Sequence, residues 1–161
     1  TGINRFAGWW GHDKSTRFLM GDTFTPTPSA DGWQLSNPPI LSLAAIRASL
    51  DTFKLAGGIK VLRQKSIQLT NYLEFLINEE LGDCIDIITP KSVRERGCQL
   101  SLSIDFSKTA ISGKQVFNIL EEQGITTDWR EPNVIRVAPV PLYNRFLDCY
   151  LFVQALKEIL K

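Results

Sequence analysis

One arginine of the sequence, Arg136, has a setting that suits recognition of a carboxylate. It lies in IRVAPVPLYN (residues 135–144), where a predicted strand is stopped by Pro139 and Pro141. A planar guanidinium binds a carboxylate through two parallel hydrogen bonds, which requires a donor fork that is held still. A strand end beside two rigid prolines would hold it. The commoner alternative for such an arginine is a surface salt bridge.

A second candidate is the stretch GWWGHD (residues 8–13), in which Trp9 and Trp10 stand between two glycines. This pattern lets the backbone approach a flat ligand while an aromatic ring covers it. Core packing of the two indoles is the commoner explanation. His12 is expected to make a structural hydrogen bond, because a single histidine beside Asp13 with no nucleophile nearby is a weak candidate for an acid or base.

A third candidate is the stretch LSNPPILSLAAI (residues 35–46), which predicts a helix that begins at Pro38 after Ser36 and Asn37. Asparagine is a favoured N-cap, and proline in the first turn loses only an amide that had no partner. The remaining free amides and the positive end of the helix dipole suit an anion such as phosphate. The alternative is a purely structural cap.

These candidates are distributed over an irregular segment and a predicted α+β layer. Residues 1–37 hold glycines, prolines and aromatic residues without a regular period, so they are predicted to form an irregular arm that packs on another domain or subunit. Residues 38–161 are predicted to form a small domain: a helical hairpin that breaks at AGG (56–58), then three or four mostly antiparallel strands backed by helices.

The later elements follow from alternation and helical spacing. Strands are predicted at residues 84–89 and 98–106 and on either side of Pro132, with helices at 112–124 and 143–161. Apolar positions at spacings of three and four predict one buried face on each helix. On the first helix these positions are Leu41, Ala44, Ala45, Ala48 and Phe53. On the last helix they are Phe146, Tyr150, Val153, Leu156 and Leu160.

Composition excludes several classes of protein. The chain of 161 residues is 43% hydrophobic and 22% charged, which fits one globular domain or a small domain with an extra arm. The net charge of +1, with interspersed signs, disfavours a nucleic-acid or membrane-surface partner. Without a spanning or signal segment, a cytoplasmic location is expected. Three widely spaced cysteines and one histidine suggest neither disulfides nor zinc, so buried thiols are expected.

Five blocks occur in order along the chain: GWWGHD, STRF, SNPPIL, TPKSVRERGCQLSLS and IRVAPVPLYN. Together they resemble the C-terminal part of the kynureninases, a family of pyridoxal phosphate enzymes of the aminotransferase-like group. The resemblance covers essentially the whole chain but only the last portion of such an enzyme. It implies a homodimer that hydrolyses kynurenine or 3-hydroxykynurenine, in tryptophan catabolism, to alanine and anthranilate or its 3-hydroxy derivative.

The resemblance also implies a role for each candidate residue. Trp9 and Asn37 would contact the phosphate of the cofactor across the homodimer interface. Trp10 and Ser36 would line the pocket for the aromatic half of the substrate. Arg136 would bind the α-carboxylate of the substrate. Trp10 stands where other members often have phenylalanine, which leaves the preference between the two substrates open.

The lysine that forms the Schiff base lies, in this family, in an upstream large domain, and no lysine here stands in a matching motif. These 161 residues alone are therefore expected to be inactive and to complete an active site whose other parts lie elsewhere. Residues 1–37 would belong to the large domain or the dimer interface. The alternative is a stand-alone, non-catalytic domain of the same descent that binds a partner through its aromatic arm.

Overall fold

The computed structural model describes residues 3–109 and 111–161. The chain divides into two compact units, one extending to Asp51 and the other beginning at Thr52. The first unit is irregular apart from two short 3-10 segments, Arg17–Leu19 and Ser29–Trp33, and the first part of helix α1 (Ile40–Leu55). The described residues before α1 lie in no α-helix and in no strand of the sheet.

Helix α1 begins two residues later than the sequence predicts. The amide of Leu43 donates to the carbonyl of Pro39 at 3.0 Å, so Pro39 accepts the first intrahelical hydrogen bond. The prediction of a start at Pro38 was wrong because a residue that precedes a proline is held out of the helical conformation, and Pro38 precedes Pro39. Asn37 consequently lies two residues before the position that accepts this bond.

The predicted buried face of α1 is not buried in this chain. None of the residues of the helix is buried, and Leu41 is 88% exposed. Ala44, Ala45 and Ala48 are also exposed, and Phe53 is half-buried. Apolar spacing predicts the helix itself, because spacing reflects the local period. Burial depends on a covering surface, which spacing along one helix does not supply.

The second unit is an α+β layer, as predicted. Its helices are α2 (Gly58–Leu81), α3 (Gly113–Glu122) and α4 (Phe146–Ile159). Its strands are β1 (Ile85–Ile87), β2 (Leu100–Ile104), β3 (Asp128–Arg130) and β4 (Val134–Val137). The sheet order is β1-β2-β4-β3 and every described pairing is antiparallel. A short 3-10 segment, Phe106–Lys108, follows β2.

Local chemistry explains where these elements begin and end. At the junction of α1 and α2, Gly57 and the first residue of α2, Gly58, have φ of 92° and 82°, a conformation that favours glycine. The hydroxyl of Ser112 accepts from the amide of Gln115, whose side chain accepts from the amide of Ser112 in return, so α3 begins with a capping box. Alternation along β2 places Leu100, Leu102 and Ile104 in the core and Ser101 and Ser103 on the opposite face.

The core lies between one face of the sheet and the three helices of the second unit. Its fully buried members include Leu69, Ile77, Leu120, Ile135, Val153 and Leu156. On α4 the predicted stripe was partly wrong: Phe146 and Tyr150 are exposed, whereas Cys149 and Phe152 are buried. This helix is apolar on more than one side, so two stripes share the same spacing, and packing against α2 selects the one through Cys149. Among the described residues, no helix is long and apolar enough to cross a membrane.

Candidate functional site

The stretch of residues 8–13, called here the aromatic loop, is held by backbone hydrogen bonds. The amide of Gly11 donates to the carbonyl of Gly8 at 3.1 Å, which closes a turn around the two tryptophans. The chain then pairs with a later segment: Asp13 N–H donates to Thr25 O at 2.7 Å, and Thr27 N–H donates to Gly11 O at 2.8 Å. The loop is therefore a defined structure although it belongs to no helix or sheet.

The glycines of the aromatic loop allow a close approach to another part of the same chain. A Cβ atom on Gly8 would lie 2.3 Å from the Cα of Leu35, and one on Gly11 would lie 2.7 Å from the carbonyl oxygen of Gly32. Such distances leave no room for a methyl group. We call this backbone contact between residues 8–11 and 32–35 the seam.

The seam relates four of the five predicted site residues. Ser36 and Asn37 directly follow residues 32–35, and Trp9 and Trp10 lie between Gly8 and Gly11. The backbone that carries Ser36 and Asn37 is therefore anchored against the loop that carries the two indoles. The sequence indicated that these glycines serve a close backbone approach. The approach seen here is to the chain's own backbone, which that pattern alone did not predict.

The two indoles are neither core residues nor free side chains. Trp9 is 44% exposed and Trp10 is 40% exposed. The ring of Trp9 meets Phe18 edge to face with centroids 5.3 Å apart. Within the described part of the chain the indole N–H of Trp9 makes no hydrogen bond, so this donor has no partner.

A buried arginine, Arg17, supports the aromatic loop from within. Its Nη2 donates to the carbonyl oxygens of Trp10 at 3.0 Å and of His12 at 3.1 Å. Its guanidinium lies 5.2 Å from the ring centroid of Trp10 and 5.9 Å from that of Trp9, within cation–π range. The side chain is only 9% exposed, so a positive charge is held behind the indoles. Sequence reasoning missed this role, which the STRF block alone does not suggest.

His12 and Asp13 have structural partners. His12 Nε2 lies 3.0 Å from Thr16 Oγ1, which confirms the prediction of a structural hydrogen bond. Asp13 Oδ1 accepts from the amide of Ser15 at 2.8 Å and from its hydroxyl. These hydrogen bonds hold the pKa of the Asp13 carboxyl below its usual value.

Ser36 and Asn37 are exposed just before helix α1. Since Leu43 makes the first intrahelical bond to Pro39, the amides of Ile40 and Leu41 precede it. Free amides at this position favour a negative charge. The phosphate contact proposed for Asn37 stays a prediction.

Arg136, on β4 of the second unit, is engaged by a carboxylate of its own sheet. Asp128 on β3 lies directly opposite it in the antiparallel register. Nε of Arg136 donates to Oδ2 of Asp128 at 2.5 Å, and Nη2 donates to the same oxygen. Arg130 Nη2 lies 3.2 Å from this oxygen as well. The salt bridge, which was the commoner alternative for Arg136, is therefore present. The hydrogen bonds from Arg136 are the main reason why the pKa of Asp128 lies below its usual value.

A second buried arginine, Arg96, ties the loop before β2 to helix α2. Its Nη2 donates to Glu74 Oε2 at 2.5 Å and to Asn71 Oδ1 at 2.8 Å. Arg63 of the same helix donates to the carbonyl of Arg96 at 2.9 Å. The attraction within a buried ion pair is largely offset by the cost of removing both charges from water, so this pair adds little net stability. The block TPKSVRERGCQLSLS contains Arg96, but its sequence does not indicate which residues pair with this arginine.

The three cysteines differ in their burial. All three are free thiols, but only Cys149 is buried, whereas Cys84 and Cys98 are half-buried, so the expectation of buried thiols was correct for one of the three. Burial raises the pKa of the Cys149 thiol to about 11, and it also raises that of Cys84. Among the described residues, no group of histidine, cysteine and acidic side chains could hold a metal ion.

A cleft of about 470 Å³ opens in the second unit between the end of β4 and helix α4. Its walls include Thr127, Pro139, Asn144 and Phe152. None of the five predicted site residues lines this cleft, so it is not the candidate site.

The chain is similar to proteins of one family. Residues 62–156 match the model of the kynureninase C-terminal domain. A kynureninase from Stenotrophomonas maltophilia is 53% identical over 154 residues, which are 96% of this chain and 36% of the relative. A kynureninase from Koribacter versatilis is 53% identical over 152 residues, 94% of this chain and 34% of the relative. The chain therefore spans about a third of the length of these curated relatives.

Solved structures share the fold at low sequence identity. The cystine C-S lyase C-DES, in complex with cysteine persulfide, matches 98% of this chain and 39% of its own chain, with a TM-score of 0.68 and 18% identity. The apo cysteine desulfurase from Thermococcus onnurineus NA1 matches 86% of this chain and 36% of its own, with a TM-score of 0.61 and 14% identity. The match to the family model extends over more than half of the chain. This chain therefore belongs to the kynureninase C-terminal domain family.

Proposed function

We propose that this chain is the C-terminal part of an enzyme that hydrolyses kynurenine or 3-hydroxykynurenine to alanine and anthranilate or its 3-hydroxy derivative. The observation that carries the proposal is 53% identity over 96% of this chain to a relative named kynureninase, of which the chain spans 36%. The proposed enzyme is a homodimer, and the large domain supplies the lysine that binds the cofactor. The isolated chain is expected to be inactive. None of these observations favours the alternative of a stand-alone partner-binding domain.

The donor set of the first unit fits the phosphate of pyridoxal phosphate. The indole N–H of half-exposed Trp9 makes no hydrogen bond among the described residues, and Asn37 is exposed just before the start of α1. Both are hydrogen-bond donors, and a phosphate supplies only acceptors at neutral pH. The buried charge of Arg17 behind the indoles adds attraction for an anion. We infer that Trp9 and Asn37 hold the phosphate. In the proposed homodimer, residues 1–37 contribute to the large domain or to the dimer interface.

The other candidate residues would orient the substrate. Bound pyridoxal phosphate supplies an electron sink at the α-carbon of an amino acid. Arg136 would bind the α-carboxylate, since a guanidinium is the side chain best matched to it. Trp10, with its half-exposed ring, and Ser36, with its hydroxyl, would line the pocket for the aromatic half of the substrate.

The proposal is tested by Arg136→Ala in the complete enzyme. Loss of a charge-assisted bidentate contact, worth about 1.5–3 kcal/mol, should lower kcat/KM roughly ten- to a hundred-fold, mostly through KM. Arg145→Ala is the matched control, because Arg145 also pairs with an aspartate of the second unit, Asp148, at 3.1 Å. Turnover of kynurenine with an unchanged KM in Arg136→Ala would contradict the assigned role.

A further inference from the structure

In the ion pair between Arg136 and Asp128, two nitrogens of the arginine donate to a single carboxylate oxygen. Both donating nitrogens of Arg136, Nε and Nη2, converge on one oxygen of Asp128, Oδ2. These two nitrogens form the side-on edge of a guanidinium, the edge nearest the side-chain stem. Asp128 therefore holds Arg136 from the side.

The opposite edge of the same guanidinium stays available. A guanidinium carries five N–H groups, and Asp128 engages one on Nε and one on Nη2. Within the described part of the chain, Nη1 of Arg136 makes no hydrogen bond. The second N–H of Nη2 and one N–H of Nη1 form the end-on pair, which can bind a carboxylate in the bidentate manner. The side chain of Arg136 is 33% exposed, so it is not enclosed in the core.

The local charge balance also favours a second anion. Arg136 and Arg130 both contact Asp128, so the three side chains together carry one net positive charge. On the neighbouring strand, the residue directly opposite Arg136 is Ser101, which is neutral. One more carboxylate would therefore neutralise the cluster.

We propose that Asp128 is a positioning residue: it grips the side-on edge of Arg136 and so presents the end-on edge to the α-carboxylate of the substrate. The inference rests on the proposed function, in which Arg136 binds that carboxylate. In this arrangement β3 carries the residue that holds Arg136 in position, a role that the family resemblance did not indicate. Antiparallel pairing of β3 with β4 is what puts Asp128 opposite Arg136.

A purely competing role for Asp128 predicts the opposite effect on substrate binding. If Asp128 merely occupied the arginine, a substrate would have to displace it, and removing the aspartate would strengthen binding. If Asp128 positions the fork, removing it frees the long side chain to adopt several rotamers, and binding must then restrict them again. That restriction costs about 0.5–1.5 kcal/mol, which corresponds to a roughly two- to twelve-fold weaker affinity.

The test compares Asp128→Asn and Asp128→Ala in the complete enzyme. We expect KM for kynurenine to rise roughly two- to twelve-fold in Asp128→Ala, with kcat within about a factor of two of the parent, because the effect is on carboxylate binding. Asp128→Asn keeps one acceptor oxygen and the side-chain shape, so it should lie between the parent and Asp128→Ala. Asp148→Asn, which weakens another arginine–aspartate pair of the second unit, Arg145–Asp148, is the matched control and should leave KM unchanged.

A binding measurement separates positioning from a general structural effect. Inhibition constants are measured for L-alanine, which has a carboxylate, and for L-alaninamide, which lacks one. Loss of positioning weakens the binding of L-alanine more than that of L-alaninamide. The inhibition constant of L-alaninamide divided by that of L-alanine therefore falls towards one. A structural disturbance weakens both equally and leaves the ratio unchanged, which would overturn the proposal. Equal melting temperatures of Asp128→Asn and the parent show that the variant is folded.

The outcomes also separate this inference from the proposed function. If Arg136→Ala raises KM while both Asp128 variants leave KM unchanged or lower it, Arg136 binds the substrate and only the positioning role is wrong. If Arg136→Ala leaves KM unchanged, the proposed carboxylate site itself is wrong. A rise of KM in both sets of variants, with the inhibition constant of L-alaninamide divided by that of L-alanine falling towards one, supports both.

Discussion

Replacing Trp9 by phenylalanine in the complete enzyme removes one hydrogen-bond donor and keeps an aromatic ring. The ring of Trp9 meets Phe18 edge to face at 5.3 Å, a contact that phenylalanine can also make. Trp9 is 44% exposed, so the smaller ring leaves no closed cavity. The buried guanidinium of Arg17 remains in place. The substitution therefore tests the indole N–H with little change in packing.

The size of the effect follows from the proposed contact with a phosphate. A hydrogen bond to a charged group contributes about 1.5–3 kcal/mol, since the donor is exchanged between water and the anion. Its loss should weaken binding of pyridoxal phosphate roughly ten- to a hundred-fold. A larger loss is not expected, because Asn37 and the residues of the large domain would still hold the phosphate.

The assay is the equilibrium dissociation constant of pyridoxal phosphate, measured by dialysis of the apoenzyme. Trp33→Phe is the matched control: Trp33 is also half-exposed and lies beneath the guanidinium of Arg5, at 4.8 Å. We assign it no contact with the cofactor. An unchanged dissociation constant in Trp9→Phe, or an equal loss in both variants, would refute the assignment of Trp9.

Two further predictions concern the seam and the core. Gly8→Ala should destabilise the first unit by about 1–3 kcal/mol, because its methyl group would lie 2.3 Å from the Cα of Leu35, whereas Gly21→Ala should be nearly neutral, since nothing lies within 4 Å. Hydrogen exchange of the aromatic loop measures this, and equal exchange in the two variants would contradict the close contact. With a pKa of about 11 and a buried side chain, Cys149 should react with a thiol reagent at pH 8 at least tenfold more slowly than half-buried Cys98, since only about one thiol in a thousand is ionised. Mass spectrometry of the labelled peptides gives the order, and faster labelling of Cys149 would disprove its burial.

The strands and the capped helix α3 could be predicted because their signals are local. Alternation in LSLSI and the serine–glutamine pair at residues 112 and 115 depend on neighbours within five positions. The helix α1 could be predicted for the same reason, although its start could not. The exclusion of Pro38 depends on the proline that follows it, an effect that competes with the N-cap preference of Asn37.

The contacts of the candidate site depend on pairings that no local pattern specifies. Asp128 meets Arg136 only because β3 and β4 pair in one particular register, so the sequence could indicate a salt bridge but not its partner. Arg17 stands in the sequence between polar residues 13–16 and apolar residues 18–20, and its burial follows from the fold of the aromatic loop around it. The choice between two apolar stripes on α4 likewise depends on which of them meets α2.

Two parts of the first unit differ in how they tolerate added atoms. The seam has no space for a methyl group at Gly8, whereas the exposed segment after Arg17 has space for additional residues. Beyond Arg17, the chain extends through Phe18, Leu19 and Met20, all largely exposed, and returns at Thr25, whose carbonyl accepts from Asp13. Residues inserted between positions 18 and 24 would lengthen this exposed segment without shifting Asp13 and Thr25, which are joined by a hydrogen bond. A loop could therefore be grafted at that tip, as a tag or a sensor, while a single methyl group at Gly8 would disturb the tryptophans and Asn37 together.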